Sequence, residues 1–423
     1  MTRLPPGPSG ALRQSIAYAS DPYGYSTAMK CRYGDPFTMP MPTGPVVVCA
    51  HPEAARTIFT ARPDIFDIWA KEQLVPVFGA DSIFTVIGDA HRRHRQAIVE
   101  ASKHRGALAT ICRERVADLE AGQTISMANF FLSLSLEVIL DVVFGARGDD
   151  SLRQLLGDYV DVSGRTSLAL PLCYSWLRRS LYPGWGHFLR LRDRLRDNLQ
   201  AFVMERQAND MARPDMLTVL SRHLDTQAAI DDLLTMLIAG HETTARALAF
   251  AVDHLAYSPK VLETLQNEIG GAGEESTIVE IGALPYLDSV VEETLRLHPV
   301  VVQVTRALRE PLDVLGHVLP AGISVAISAH LVHRRADLHS EPDVFRPERF
   351  LERRPSPFEH FPFGGGPTRC PGASLAKDEM KMVLFHLLRR FNLEPKRKTV
   401  CRAVVKGLVM APHDDVVMSL VRR

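Results

Sequence analysis

Apolar positions divide the chain into regions of different period. Phe37–Met41 and Val46–Ala50 flank a Pro42-Thr43-Gly44-Pro45 stretch, which predicts a strand pair joined by a turn. From His51 to about residue 283 the spacing is mostly helical. Within it, 230–257 is apolar nearly all round, and a helix of that length would run about 42 Å and lie buried. Leu287, Val290, Val291, Thr294 and His298 fall at i, i+3, i+4, i+7 and i+11, so 286–298 reads as a helix opened by Pro285 and stopped by Pro299. Val-rich segments broken by Pro311, Gly316, Pro320 and Gly322 predict short strands over 299–331. Residues 341–372 are loop-like, 373–390 is an amphipathic helix, and 404–421 alternates as a terminal hairpin would. The fold class expected is α+β, mainly α, with strands in minor sheets. No repeat or long linker divides the 423 residues, so 1–423 reads as one domain, its first 20 residues a proline-rich segment.

Composition narrows the function. Lys plus Arg and Asp plus Glu are both 49, so neither nucleic acid nor an anionic surface is an expected partner. Six scattered cysteines without a CxxC pair argue against a disulfide framework and point to a reducing, cytoplasmic setting. Neither a signal peptide nor an unbroken apolar run of about 18 residues is visible, so no membrane anchor is expected.

Three places break local logic. In Phe363-Gly364-Gly365-Gly366-Pro367-Thr368-Arg369-Cys370-Pro371-Gly372, consecutive glycines allow close backbone approach, and Cys370 just before a helix is set up as a thiolate with one open face. In the middle of the apolar central helix stands Ala239-Gly240-His241-Glu242-Thr243-Thr244, whose polar groups are costly there unless they serve a site. Gly240 would make a gap beside a cofactor, Thr243 would offer a hydroxyl and Glu242 would deliver protons. Glu293 and Arg296 share a helix face.

The cysteine loop resembles the haem-binding loop of the cytochrome P450 family. The string 239–243 is similar to that family's oxygen-activation motif, Glu293-x-x-Arg296 to its Glu-x-x-Arg helix, and Pro347-Glu348-Arg349-Phe350 to its Pro-Glu-Arg-Phe segment. The resemblance implies a triangular helical domain with small antiparallel sheets, holding haem b (iron protoporphyrin IX). It implies Cys370 as iron ligand, with Phe363, Gly364 and Gly372 shaping its loop. His91, Arg95 and Arg306 would meet the haem propionates, Glu242 and Thr243 would form an acid–alcohol pair, and Glu293, Arg296 and Arg349 would lock the loop. Thr368 departs from the pattern, because the family has His or Arg there.

The activity implied is a bacterial-type monooxygenase that hydroxylates or epoxidises a hydrophobic small molecule (terpene, steroid, fatty acid or polyketide), as in secondary metabolism. Electrons would come from NAD(P)H through a separate reductase and a ferredoxin or flavodoxin, docking on Arg92, Arg93 and Lys377. Leu237, Ile238, Ala239, Val301, Val302, Val304, Leu408, Val409 and the 407–410 turn would line the pocket, under a lid at 165–186. A monomer is expected. The rivals are a peroxide-using or isomerase member of the same fold, a haem-binding sensor, and a thiol hydrolase pairing Cys370 with His360.

Overall fold

The computed structural model describes residues 4–145, 150–163, 172, 177–178, 182, 184–209, 215–407 and 409–423. Its axis is a helix over Thr226–Ala256. Asp225 caps its start, accepting from Ala228 N–H at 3.0 Å. At 1.5 Å per residue it spans about 46 Å. Its second half, Ala247–Val252, is buried residue by residue. That stretch is apolar all round, as an enclosed stretch of helix is expected to be, while Asp231, Asp232, Thr235 and Asp253 elsewhere in the helix are buried with hydrogen-bond partners.

The helix Met127–Phe144 packs along it. By length and composition this second helix could cross a membrane, but 67% of it is buried inside the protein, and it carries Glu137 and Asp141. Both helices belong to one large apolar core, together with the helix Ala373–Arg390.

Among the described residues the strands form four sheets. The largest joins Phe37–Met41 (β1), Gly44–Cys49 (β2), Phe66–Asp67 (β3), Gln303–Leu308 (β5) and Ser324–Ser328 (β8) in the order β1-β2-β8-β5-β3. It covers a separate apolar cluster around Val47, Ile58, Phe59 and Phe361. Thr124–Ser126 (β4), Val417–Arg422 (β12) and Phe391–Pro395 (β9) make a second sheet. Leu312–Val314 (β6) pairs with His317–Leu319 (β7), and Ala403–Lys406 (β10) with Val409–Pro412 (β11).

Three expectations need correction. The sheets are not all antiparallel, because β2 and β8 run parallel, Val47 opposite Val325. The first turn is tighter than predicted: Met41 pairs with Gly44, whose φ of 106° lets the chain reverse within two residues. The C-terminal tail is not one hairpin. The chain leaves β11, passes through Val416 at φ 51°, and β12 inserts between β4 and β9. Alternation marks a strand but carries no information about its partner. β3 and β4 also interrupt the region read as helical, and both are too short to leave a periodic signal.

Candidate functional site

The cysteine loop is pressed against the helix Pro52–Thr60. Its backbone closes on itself: Cys370 N–H donates to Phe363 O at 2.9 Å and Arg369 N–H to Gly366 O at 3.1 Å. Gly366 has φ 66°, and a Cβ there would collide with the Phe59 carbonyl oxygen. Gly364, at φ 70°, faces Val304, and a Cβ would sit 3.3 Å from Val304 Cγ2. Gly372 is the N-cap of Ala373–Arg390. Burial pushes the Cys370 pKa up, and the Gly372 N–H and the charges of Arg369 and Arg95 only oppose this. A bound metal cation would favour the ionised sulfur, as these charges do.

Cations gather beside the loop. His91 and Arg95 lie one turn apart on the helix Gly88–Ala101, and Arg95 donates to the carbonyl of Arg369. Arg306, on β5, is 6% exposed. It donates to Ile58 O at 3.1 Å, Gly365 O at 3.0 Å and Thr368 Oγ1 at 2.9 Å, while its Nε has no partner among the described residues. Burial pulls its pKa down to about 10. Burial also lowers that of His91, helped by the charges of Arg95, His94 and Arg306. Among the described residues no carboxylate is ion-paired with His91, Arg95, Arg306 or Arg369. A buried guanidinium without an anion is costly. A dianionic cofactor whose acid groups reach this corner removes that cost, so these residues fit haem. The Thr368 hydroxyl lies within the same hydrogen-bond set.

Across the central helix, the structure separates the residues that the sequence grouped. Thr243 Oγ1 donates to Ala239 O at 2.8 Å. Glu242 instead accepts from Arg246 at 3.3 Å, and burial raises its pKa against the pull of that guanidinium. The two side chains are thus bonded elsewhere and not to each other. His241 is bound to Leu237 O at 2.8 Å, and burial lowers its pKa to about 4, so it is neutral. Gly240 does not open a gap: a Cβ there would sit 2.6 Å from Ile139 Cδ1. The glycine lets Met127–Phe144 approach.

The expected pocket wall is mixed. Ile238, Val302 and Val409 are buried, and Ala239 and Val304 are half-buried. Leu237 is fully enclosed in the main core, to which Ile238 and Val409 also belong, and Val301 is half exposed. Leu408 lies outside the described residues, as does most of the 165–186 stretch.

Glu293 is fully buried and takes four hydrogen bonds. Arg296 Nε and Nη2 reach it at 2.6 and 2.9 Å, Arg349 Nε at 3.1 Å and Arg346 N–H at 2.8 Å. Arg296 also donates to His333 O and Pro342 O, and Arg349 to Ser340 O, tying the 333–349 segment to one carboxylate.

The preceding residue was missed. Glu292 accepts from Lys377, and its other oxygen lies 2.8 Å from His360 Nε2. Burial opposes its ionisation, but His360 and Lys377 together bring its pKa down to about 2. Lys377 is thus half-buried and paired with Glu292. His360 is held by Glu292 rather than by Cys370, which removes the basis for a thiol hydrolase pair. Arg92 is exposed and paired with Asp89. These links cross 68 and 85 residues of chain, and no local pattern carries them.

The cytochrome P450 family model matches residues 5–417. Cytochrome P450 135B1 of Mycobacterium tuberculosis is 33% identical, over 97% of this chain and 90% of that protein. Cytochrome P450 138 of Mycobacterium bovis is 32% identical, over 98% and 95%. A solved structure of a retinoic-acid-bound cyanobacterial CYP120A1 superposes with a TM-score of 0.88 over 100% of both chains, at 22% identity.

Proposed function

This chain belongs to the cytochrome P450 family, as a haem-dependent monooxygenase, and from that premise we propose that Cys370 is the iron ligand, that the substrate is a hydrophobic small molecule, and that a separate ferredoxin or flavodoxin with its reductase delivers the electrons of NAD(P)H. Haem, when bound, supplies the activation of dioxygen and the transfer of one oxygen atom. The chain's own residues do the rest. Cys370 gives up its proton and donates electron density through sulfur. Arg306, Arg95 and His91 hold the acid groups, with Thr368 in place of a basic side chain in the loop.

The Thr243 hydroxyl has spent its proton on Ala239 O, which leaves its lone pairs to accept a hydrogen bond. Glu242 sits in a buried setting that raises its proton affinity, so it can hold and release a proton closer to neutral pH than a solvated carboxyl. To act, it must exchange Arg246 for a water chain. The apolar side chains of Ile238, Val302 and Val409 exclude water and suit an apolar guest. Members of this kind in bacterial secondary metabolism hydroxylate such molecules, and that role is proposed here.

The observation that carries the reading is the buried Arg306, without a carboxylate, hydrogen-bonded to the loop that bears Cys370. The test is the absorption of the reduced, carbon-monoxide-treated protein. The band of thiolate ligation is expected, and it should vanish in Cys370→Ala. A band that survives this substitution refutes the assignment.

A further inference from the structure

A second cluster of metal-ligand atoms lies apart from the cysteine loop, at the base of the β10–β11 hairpin. Cys401 precedes β10, and His413 and Asp414 follow β11. Cys401 Sγ is 3.4 Å from His413 Nδ1, and that nitrogen is 3.8 Å from Asp414 Oδ2. All three donor atoms lie within 4.8 Å of one another. Zinc bonds of about 2.3 Å to sulfur and about 2.0–2.2 Å to nitrogen and oxygen, at tetrahedral angles, place donors roughly 3.4–3.6 Å apart. The observed spacings need only small side-chain movements to match.

The charge distribution points the same way. Asp253 is fully buried, accepts the Cys401 N–H at 2.7 Å, and is paired with Arg397. Arg397 also holds Asp414 Oδ1 at 2.7 Å. Two carboxylates thus share one guanidinium, and the cluster carries one excess negative charge. A divalent cation that displaces the Cys401 proton brings the sum of cation, thiolate, two carboxylates and guanidinium to zero. Arg397 stays on the Oδ1 side, where it orients the carboxylate and leaves Oδ2 free. The His413 side chain is half exposed, which gives the ion an entry path and water as a fourth ligand.

We propose that Cys401, His413 and Asp414 bind one zinc ion, which clasps the open end of the β10–β11 hairpin. The hairpin is already joined there by His413 N–H to Arg402 O at 2.9 Å, and its other side is tied by Met410 N–H to Val300 O at 2.9 Å. The clasp would fix β11 relative to the Val-rich segment next to the apolar site. Binding transfers the thiol proton to solvent, so about one proton leaves per zinc bound.

The test uses the full, haem-loaded chain, stripped of loose metal with a chelator, incubated with zinc chloride and freed of excess by gel filtration. About one zinc per chain is expected by atomic emission. Competition with a chromophoric chelator should give affinities at least about tenfold weaker for His413→Ala and for Cys401→Ser, with Cys31→Ser as wild type. His413 is exposed enough for its variant to fold even if the cysteine variant does not. Haem content, measured alongside, follows the Cys370 assignment and not this one. Zinc that is not retained by the wild type overturns the proposal. So does zinc retained equally by His413→Ala.

Discussion

Gly240→Ala separates two explanations of the same residue. If the glycine makes room for a cofactor, an added methyl disturbs the haem side of the helix. If it makes room for Ile139, the methyl strikes Cδ1 at 2.6 Å and Cγ1 at 2.9 Å. Overpacking of this kind costs about 1–3 kcal/mol, offset by about 1 kcal/mol of helix propensity on replacing glycine with alanine. The net loss in the wild-type background is therefore about 0–2 kcal/mol.

Ile139→Ala removes both colliding atoms and leaves Cβ at 3.8 Å, an ordinary contact. By itself it should cost about 2–5 kcal/mol, since Ile139 is buried. In that background Gly240→Ala meets no clash and should gain about 1 kcal/mol. The coupling between the two sites is then about 1–3 kcal/mol, and it survives uncertainty in either single value. Denaturant midpoints and slopes followed by far-ultraviolet circular dichroism would measure it in the four proteins. An equal cost of Gly240→Ala in both backgrounds refutes the packing argument, and a haem-spectrum change that Ile139→Ala does not relieve restores the cofactor one.

Arg349→Ala strips one partner from a fully buried carboxylate and should cost about 3–5 kcal/mol, read as a lower unfolding midpoint and a smaller haem-bound fraction; a loss below about 1 kcal/mol contradicts the role given to Glu293. Thr243→Ala should keep the haem spectrum and lower NAD(P)H-driven oxygenation at least about tenfold, because the hydroxyl's lone pairs go with it; unchanged turnover and coupling count against its part in proton transfer. Acid should destabilise the protein in two steps. His254 is buried among cations and its pKa falls to about 3, so its stability contribution is whole above pH 6.5 and declines below it. Glu292, at about 2 against an ordinary 4.5, contributes on the order of 3 kcal/mol above pH 4.5 and loses it as the pH falls toward 2. Glu292→Gln should flatten the lower step in midpoint against pH and leave the upper one.

The sequence determined those features whose cause is local. The central helix, the helix 285–297 and the helix 373–390 follow from apolar period and capping, and the structure reproduces their bounds within a few residues. The cysteine loop was legible because three glycines before a cysteine answer a backbone demand, which Phe59 makes explicit. Only tertiary structure decided what lies opposite each element. A periodic pattern states which face is buried but not against what, so Gly240 was matched to a cofactor instead of Ile139 and β12 to a hairpin partner instead of β4 and β9, and the pairing of Lys377 with Glu292 left no trace. The burial that pushes the Cys370 pKa up also came only with the fold. Desolvation depends on how many atoms surround a group, and that number is set by chain segments far apart in sequence.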